Sequence, residues 1–167
     1  QMERSRKYKI QFIGLKDGEH EFKFGIGLEF FRSFNNEEVL EADVSADITL
    51  NKKPDMLEVH LRTEGKLSVA CDRCNRPLDI EVEGQQRQIF KVSEREDYDN
   101  EEIVTITAND HEVEVSEYIY ECIALAIPLR NVHKKKDCDP IALEALEAVS
   151  KKDDPEIDPR WAALKAL

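Results

Sequence analysis

The sequence has no long apolar run and no leader pattern, and these two absences narrow where the protein can act. None of its 167 residues belongs to a stretch near the roughly 20 apolar residues that a membrane-spanning helix needs. The first residues, QMERSRKYKI, do not contain the apolar segment of a secretory signal peptide. We therefore expect a cytoplasmic protein with no membrane partner. In that reducing compartment its four cysteines are expected to be thiols or metal ligands rather than disulfides.

The motifs of the common enzyme classes are also absent. The sequence contains no phosphate-binding loop, no dinucleotide-binding glycine pattern, no nucleophile elbow and no His-Glu-x-x-His pattern. Carboxylates are abundant, but no spacing among them marks an acid–base pair. We predict no enzymatic activity and no small-molecule substrate.

Positive charge is scarce overall but locally concentrated. The formal net charge is −12, so the surface as a whole would repel the phosphates of nucleic acid. Residues 94–121 are strongly acidic, whereas basic residues collect in two other short segments. The predicted partner-binding residues are Arg73, Arg76, Arg130, Lys134, Lys135 and Lys136. Such a patch could contact an RNA backbone, and the acidic remainder could hold a basic protein.

Alternation of apolar and polar residues dominates the first two-thirds of the chain. In residues 40–50 every even position is apolar, which is typical of a half-buried strand. Similar alternation predicts further strands within residues 8–12, 22–28, 57–61, 67–69, 78–82, 103–106 and 113–115. Gly65 is predicted to lie in a turn or bulge. Short alternating strands indicate antiparallel pairing, either in an open sheet or in a closed, barrel-like one.

Two helices are predicted in the second half of the chain. The first covers residues 116–127, with Ser116 as its N-cap and Pro128 ending it. The second covers residues 140–149, with Asp139 as its cap and a proline at the first helical position. The fold class is therefore α+β, an antiparallel β-rich body with two helices.

We predict one domain over residues 2–149, followed by a C-terminal extension. Residues 150–159 are polar and contain two prolines, as is typical of a linker. Residues 158–167 are predicted to form a short amphipathic helical segment whose apolar face contains Trp161, Leu164 and Leu167. The extension over 150–167 is thus interpreted as a linker with a docking helix.

The cysteines raise the main chemical question. Cys71 and Cys74 lie between two strand patterns, so they occupy a hairpin connection, which suits a zinc knuckle. A structural zinc site needs two more ligands, and the candidates are His133 and Cys138. Cys122 lies on the apolar stripe of the first helix and is interpreted as a core residue.

Two other interpretations of the cysteine pair remain open. The thiols could be unliganded residues of a turn. They could also form a redox pair, because Arg73 and Arg76 favour thiolate. Redox pairs of this spacing usually begin a helix, however, and here the pair lies between strands.

Three segments in order resemble the YceD family, whose proteins support accumulation of large-subunit ribosomal RNA. The segment 71-CDRCNRPLDIEV-82 resembles the family's CxRC signature. The segment 121-ECIALAIPLRNVHKKKDC-138 resembles its acidic-apolar helix and the following His-x4-Cys. The segment 158-DPRWAALKAL-167 is similar to its closing motif. The agreement extends over roughly residues 40–167, and the N-terminal strands agree only in general character.

The resemblance implies a cytoplasmic protein needed for synthesis, processing or stability of 23S rRNA, with no known enzymatic activity. The family's characteristic positions fall on Cys71, Cys74, His133 and Cys138, the same four residues that are candidates for holding one structural zinc ion. One departure is that the exit from the helix has a single proline, Pro128, which affects how His133 is presented.

Three functional hypotheses follow. The leading one is a non-enzymatic factor for large-subunit biogenesis that binds rRNA or a large-subunit ribosomal protein. The alternative is an acidic adaptor or chaperone for a basic ribosomal protein. The third is a zinc-dependent or thiol redox enzyme, for which the sequence offers no general base beside the cysteines.

Overall fold

A five-stranded sheet with a second, two-stranded sheet forms the body of the protein. The computed structural model describes residues 7–93, 103–107 and 109–150. Its strands are β1 (Lys9–Gln11), β2 (Gly18–Gly27), β3 (Val39–Lys52), β4 (Met56–Ala70), β5 (Pro77–Val92), β6 (Ile103–Ile106) and β7 (Glu112–Glu114). Its helices are α1 (Leu28–Ser33), α2 (Ser116–Ala126) and α3 (Pro140–Ser150), with a 3-10 turn at Lys135–Asp137.

The predicted α+β class is confirmed, and the sheet is open rather than closed into a barrel. The strand order of the larger sheet is β2-β3-β4-β5-β6, and β1 pairs with β7 in the smaller one. All neighbours are antiparallel except β5 and β6, which run parallel, with Ile89 opposite Ile103. The expectation of purely antiparallel pairing was therefore wrong for β6. Alternation reports which face of a strand is buried and contains no information about the direction of its neighbour.

The core lies between the inner face of the larger sheet and helix α2. Ile119 and Ile123 of α2 are fully buried there. The buried positions of β3 in the same core are Val44, Ala46, Ile48 and Leu50. The alternation predicted for residues 40–50 holds from Ala42 onward but fails at Leu40, which is exposed. The register between β3 and β4 shifts there, so that Val39 is buried instead.

Gly65 was wrongly placed in a turn or bulge. It lies within β4, a single strand that includes both of the segments predicted around it. A Cβ atom at Gly65 would lie 2.3 Å from the carbonyl oxygen of Asp43 and 2.5 Å from the Cα of Val44. The glycine is thus needed for the close approach of β3 to β4 and not for a reversal of the chain.

Helix α1 was missed by the sequence analysis. Its Phe30 and Phe31 are buried, and Phe34, at its C-terminal end, stacks on Tyr120 of α2 with ring centroids 4.4 Å apart. The helix has only six residues, too few for a helical period to be recognised beside the β2 alternation.

The predicted α2 and α3 are confirmed, with one correction at a cap. The side chain of Asp139 accepts a hydrogen bond from the Ile141 amide at 2.9 Å, which is the predicted cap of α3. Ser116 is not the N-cap of α2, because that position is Val115, and the Ser116 hydroxyl instead donates to Glu114 at 2.7 Å. Among the described residues no helix is long and apolar enough to cross a membrane. The predicted linker and docking helix over 150–167 lie outside the described residues, apart from Ser150 at the end of α3.

Candidate metal centre

The connection between β4 and β5 forms a tight turn around the first cysteine pair, as predicted. The Cys71 amide donates to the Arg76 carbonyl at 2.9 Å, and the Asn75 amide donates to the Cys71 carbonyl at 2.8 Å. Asn75 has a φ of 57°, in the left-handed region that asparagine tolerates better than most residues. The turn brings Cys71 and Cys74 together at the end of the sheet.

The segment that follows α2 is hydrogen-bonded to this turn. The Asp72 amide donates to the Asn131 carbonyl at 2.8 Å, and the Asn131 amide donates to the Asp72 carboxylate at 2.6 Å. The Asn131 side-chain amide in turn donates to the Pro128 carbonyl at 3.1 Å. These bonds fix the exit from α2, although it contains only one proline, and lay the following residues across the turn.

The four predicted ligands converge. The sulfur atoms of Cys71, Cys74 and Cys138 and a ring nitrogen of His133 all lie within 4.8 Å of one another. A tetrahedral zinc ion with bonds of about 2.3 Å to sulfur holds its sulfur ligands about 3.8 Å apart. The cluster therefore needs to contract by about 1 Å at most to reach that geometry. Three thiols and one imidazole are a donor set of structural zinc sites.

The ring of His133 presents one nitrogen to the cysteines and the other to a backbone carbonyl. Its Nδ1 lies 3.5 Å from the Cys74 sulfur, close to the sulfur–nitrogen spacing of about 3.6 Å across a tetrahedral zinc ion. Its Nε2 lies 3.0 Å from the Pro77 carbonyl oxygen. A carbonyl accepts but does not donate, so this contact places the proton on Nε2 and leaves the Nδ1 lone pair directed at the cysteines.

Backbone amides support two of the sulfur atoms as thiolates. Burial acts to raise the pKa of Cys71, but hydrogen bonds from the amides of His133, Arg73 and Cys74 lower that pKa to about 6. Amides of Asp139 and Arg76 likewise lower the pKa of the Cys74 thiol. Thiolates are the form that binds metal, so the turn prepares both sulfurs for coordination.

The pKa values of the other two candidate ligands depend on the cysteines around them. Burial raises the pKa of the Cys138 thiol, and its neighbours Cys74 and Cys71 raise it further. Hydrogen bonds with Cys71 and Cys74 raise the pKa of His133. The Arg73 guanidinium donates to the Cys138 sulfur at 3.7 Å and so supplies positive charge to a cluster rich in negative charge.

The predicted basic residues fall into two groups around this centre. Arg73 faces Cys138, Arg76 forms an ion pair with Asp139 at 2.6 Å, and Lys135 pairs with Glu147 at 3.4 Å. The second group is exposed and consists of Arg130, Lys134 and Lys136. These three form no ion pair with any residue in the described part of the chain. Both groups lie on the two segments that the Asp72–Asn131 bonds join.

Cys122 lies apart from the cluster, in the core, as predicted. Its sulfur contacts the Thr63 hydroxyl at 3.4 Å, and burial raises the pKa of its thiol. Gly84 of β5 lies against it, since a Cβ there would be 2.9 Å from the Cys122 sulfur. Cys122 thus packs α2 on the sheet and is not a ligand.

The sequence analysis missed the residues that hold the ligands in place. Asp72 and Asn131 join the two ligand segments, Pro77 orients the histidine, and Asp139 links Arg76 to the start of α3. Asp139 was predicted only as the cap of α3. No motif spacing points to the contacts of these residues around the candidate site, because each contact joins segments far apart in sequence.

The open β-rich sheet and the three-cysteine, one-histidine cluster at the end of a hairpin define a protein with a knuckle-type candidate metal centre. Residues 59–167 match the family described as "Large ribosomal RNA subunit accumulation protein YceD", and the chain belongs to this family. The matched residues include all four candidate ligands. No curated protein and no solved structure matches the chain. The family's description associates it with accumulation of the large ribosomal RNA subunit.

Proposed function

We propose that the protein is a non-enzymatic factor that supports accumulation of 23S rRNA by binding RNA through a basic surface beside a structural metal centre. The main observation in support is that hydrogen bonds join the 71–76 turn to residues 130–139. These two segments contain the four candidate ligands and the six basic residues predicted to bind a partner. The family membership supports the ribosomal setting.

The donor set fits a zinc ion held by Cys71, Cys74, His133 and Cys138. Four protein ligands complete a tetrahedral shell and leave no position for a substrate, which favours a structural role over a catalytic one. An ion there would supply a cross-link between the end of the sheet and the segment that follows α2. Three thiolates and a neutral imidazole on a divalent ion leave one net negative charge, which Arg73 offsets.

The exposed cations Arg130, Lys134 and Lys136 are the residues best suited to RNA phosphates. They form no ion pair within the described part of the chain, so binding phosphate would not require an internal pair to break. The overall charge of −12 disfavours RNA contact over the acidic parts of the surface, which makes a local group of unpaired cations the more favourable place for phosphate.

The RNA contact is tested by removing these three charges. We expect the triple variant Arg130→Ala/Lys134→Ala/Lys136→Ala to bind 23S rRNA fragments more weakly and to lower the slope of log affinity against log salt by roughly 2–3, since each lost phosphate contact removes about 0.7–0.9. Fluorescence anisotropy at several salt concentrations measures both quantities.

A matched control is the triple variant Lys23→Ala/Lys66→Ala/Lys91→Ala. It removes the same formal charge from exposed positions on β2, β4 and β5, away from the metal centre. Its salt slope should equal that of the wild type. An RNA affinity that is independent of salt, or an equal loss in both triple variants, would contradict the proposed surface.

In cells the proposal predicts a low ratio of 23S to 16S rRNA when the protein is depleted. Wild type and the sheet-lysine triple variant should restore the ratio, and the Arg130/Lys134/Lys136 variant should not. A normal ratio in the depleted strain would remove the basis of the proposed function.

A second candidate function is an adaptor for a basic ribosomal protein. The charge of −12 and the exposed, acidic helix α3 favour it. The two functions are compatible if RNA and protein use different surfaces.

A further inference from the structure

Strand β2 forms an open edge of the larger sheet. It is the first strand in the order β2-β3-β4-β5-β6, so only one of its sides is paired. Its ten residues pair with β3 in one continuous register, from Gly18 opposite Lys52 to Gly27 opposite Asp43. Among the described residues, no backbone hydrogen bond from any other segment reaches the backbone of β2. Every second residue of such an edge strand directs its amide and carbonyl groups away from the sheet.

Most of the features that protect exposed edges are missing from β2. Edge strands are commonly shortened, bent by a bulge or interrupted by proline. Strand β2 has ten residues, contains no proline and has no register shift against β3. The strand at the opposite edge, β6, has only four residues. The longer edge in the described part of this sheet is therefore regular and open to a further strand.

The outer face of β2 contains charged side chains that decide which strand can pair with it. Glu19, Glu21 and Lys23 lie at alternate positions on this face and are exposed. Lys23 pairs with Asp47 of β3 at 3.1 Å, whereas Glu21 forms no ion pair with any described residue. In an added antiparallel strand, opposite charges facing these positions are favourable and like charges are unfavourable.

A second copy of β2 provides the favourable charges in one register. A two-fold axis perpendicular to the sheet has to pass through a residue of β2, because only then do the outer faces of both copies lie on the same side. With the axis at Phe22, Glu21 of each copy faces Lys23 of the other, which gives two favourable pairs. Moving the axis by one residue in either direction, to Glu21 or to Lys23, sets two identical charges opposite each other.

The inner face of β2 favours the same register. Phe22 and Phe24 are only partly buried at this edge of the core. With the axis at Phe22, the two Phe22 rings face each other and each Phe24 faces His20 of the other copy. Aromatic pairs across neighbouring strands stabilise their pairing, and the added strand would cover the exposed part of these rings.

We propose that the protein forms a two-fold symmetric dimer by antiparallel pairing of β2 with β2 of a second copy, with the axis at Phe22 and reciprocal Glu21–Lys23 pairs on the outer face. The two larger sheets then form one continuous sheet. The paired strands run in opposite directions, so the two candidate metal centres lie at opposite ends of the joined sheet. The dimer does not rest on the proposed function, because β2 contains none of the residues assigned to RNA or metal.

Sedimentation equilibrium of the 167-residue chain tests the dimer. The pairing of one strand with another is a small interface, so we expect a dissociation constant on the order of 10 μM. Lys23→Glu should weaken dimerisation by at least about tenfold, because two attractive pairs become repulsive. Glu21→Lys should weaken it similarly, and it leaves the Lys23–Asp47 pair intact. An equimolar mixture of the two variants should dimerise again, because every facing pair then has opposite charges.

The matched control is Lys66→Glu. Lys66 lies on the outer face of the interior strand β4, opposite Asp43 and Glu81, so this substitution reverses the same charge beside acidic neighbours but away from the edge. It should dimerise as the wild type does, and circular dichroism checks that each variant is folded. The proposal would be overturned by a wild type that stays monomeric up to about 500 μM. Equal dimerisation of Lys23→Glu and Lys66→Glu, or a mixture of the two folded β2 variants that stays monomeric, would also overturn it.

Discussion

Replacing Cys71 and Cys74 together by serine is expected to abolish zinc binding and to lower the midpoint of thermal unfolding by on the order of 10 °C. The wild type should contain about one zinc ion per chain, measured by mass spectrometry on protein purified without chelator or a metal-affinity tag. The physical reason is that the two sulfurs supply half of the donor set, while the segments that the ion would join contact each other mainly through polar groups. Loss of a structural metal is among the few single-site changes with very large effects.

The matched control is Cys122→Ala, which removes a cysteine that is buried in the core rather than part of the cluster. That variant should keep its zinc and lose only modest stability, because a small buried side chain is shortened beside Thr63. Both substitutions affect stability, so metal content is the measurement that separates the two sites. Metal-free wild-type protein with Cys71, Cys74 and Cys138 all freely titratable would contradict the proposed centre and return the redox pair to consideration.

Substituting Gly65 by alanine is expected to lower the free energy of unfolding by more than about 3 kcal/mol. This is the upper end of the usual cost of adding a methyl group to a well-packed site. The new Cβ would lie 2.3 Å from the Asp43 carbonyl oxygen and 2.5 Å from the Val44 Cα. Both of these atoms belong to the backbone of β3. No side chain can therefore rotate away, and the paired strands β3 and β4 would have to separate locally. Urea denaturation followed by circular dichroism measures the change.

Gly25→Ala is the matched control, because Gly25 lies within strand β2 and a Cβ there would meet no atom within 4 Å. Its free energy of unfolding should change by less than about 0.5 kcal/mol. Failure of Gly65→Ala to fold at all would agree with the close approach of β3 to β4. Equal stability of the two variants would show that the strands can separate at no cost, contrary to the structure.

Several features of the fold could be predicted because their signals are local. Period-two alternation gave the strands, and the apolar stripe with Pro128 gave α2. The cap of α3 at Asp139 was also predicted from adjacent residues. Helix α1 and the parallel direction of β6 were not predicted. Helix α1 is too short to show a helical period, and the direction of a strand depends on where the chain returns to the sheet.

In the candidate site, the ligands could be predicted from the sequence, and the contact that orients the histidine could not. Cys71, Cys74, His133 and Cys138 could be named from motif spacing, and the structure brings their ligand atoms within 4.8 Å. Which side of the His133 ring faces the cluster depends on the Pro77 carbonyl, and no sequence pattern encodes that contact.

The sequence by itself determined the α+β class, the hairpin position of Cys71 and Cys74, and the core role of Cys122, because these depend on residue type and periodicity within one segment. Only the tertiary structure decided that the sheet stays open, that Gly65 allows β3 and β4 to approach closely, and that half of the predicted basic residues are occupied by internal contacts. These features depend on groups that are distant in sequence but close in space. Charge pairing and van der Waals contact act over only a few ångströms, so residue spacing within one segment does not reveal them.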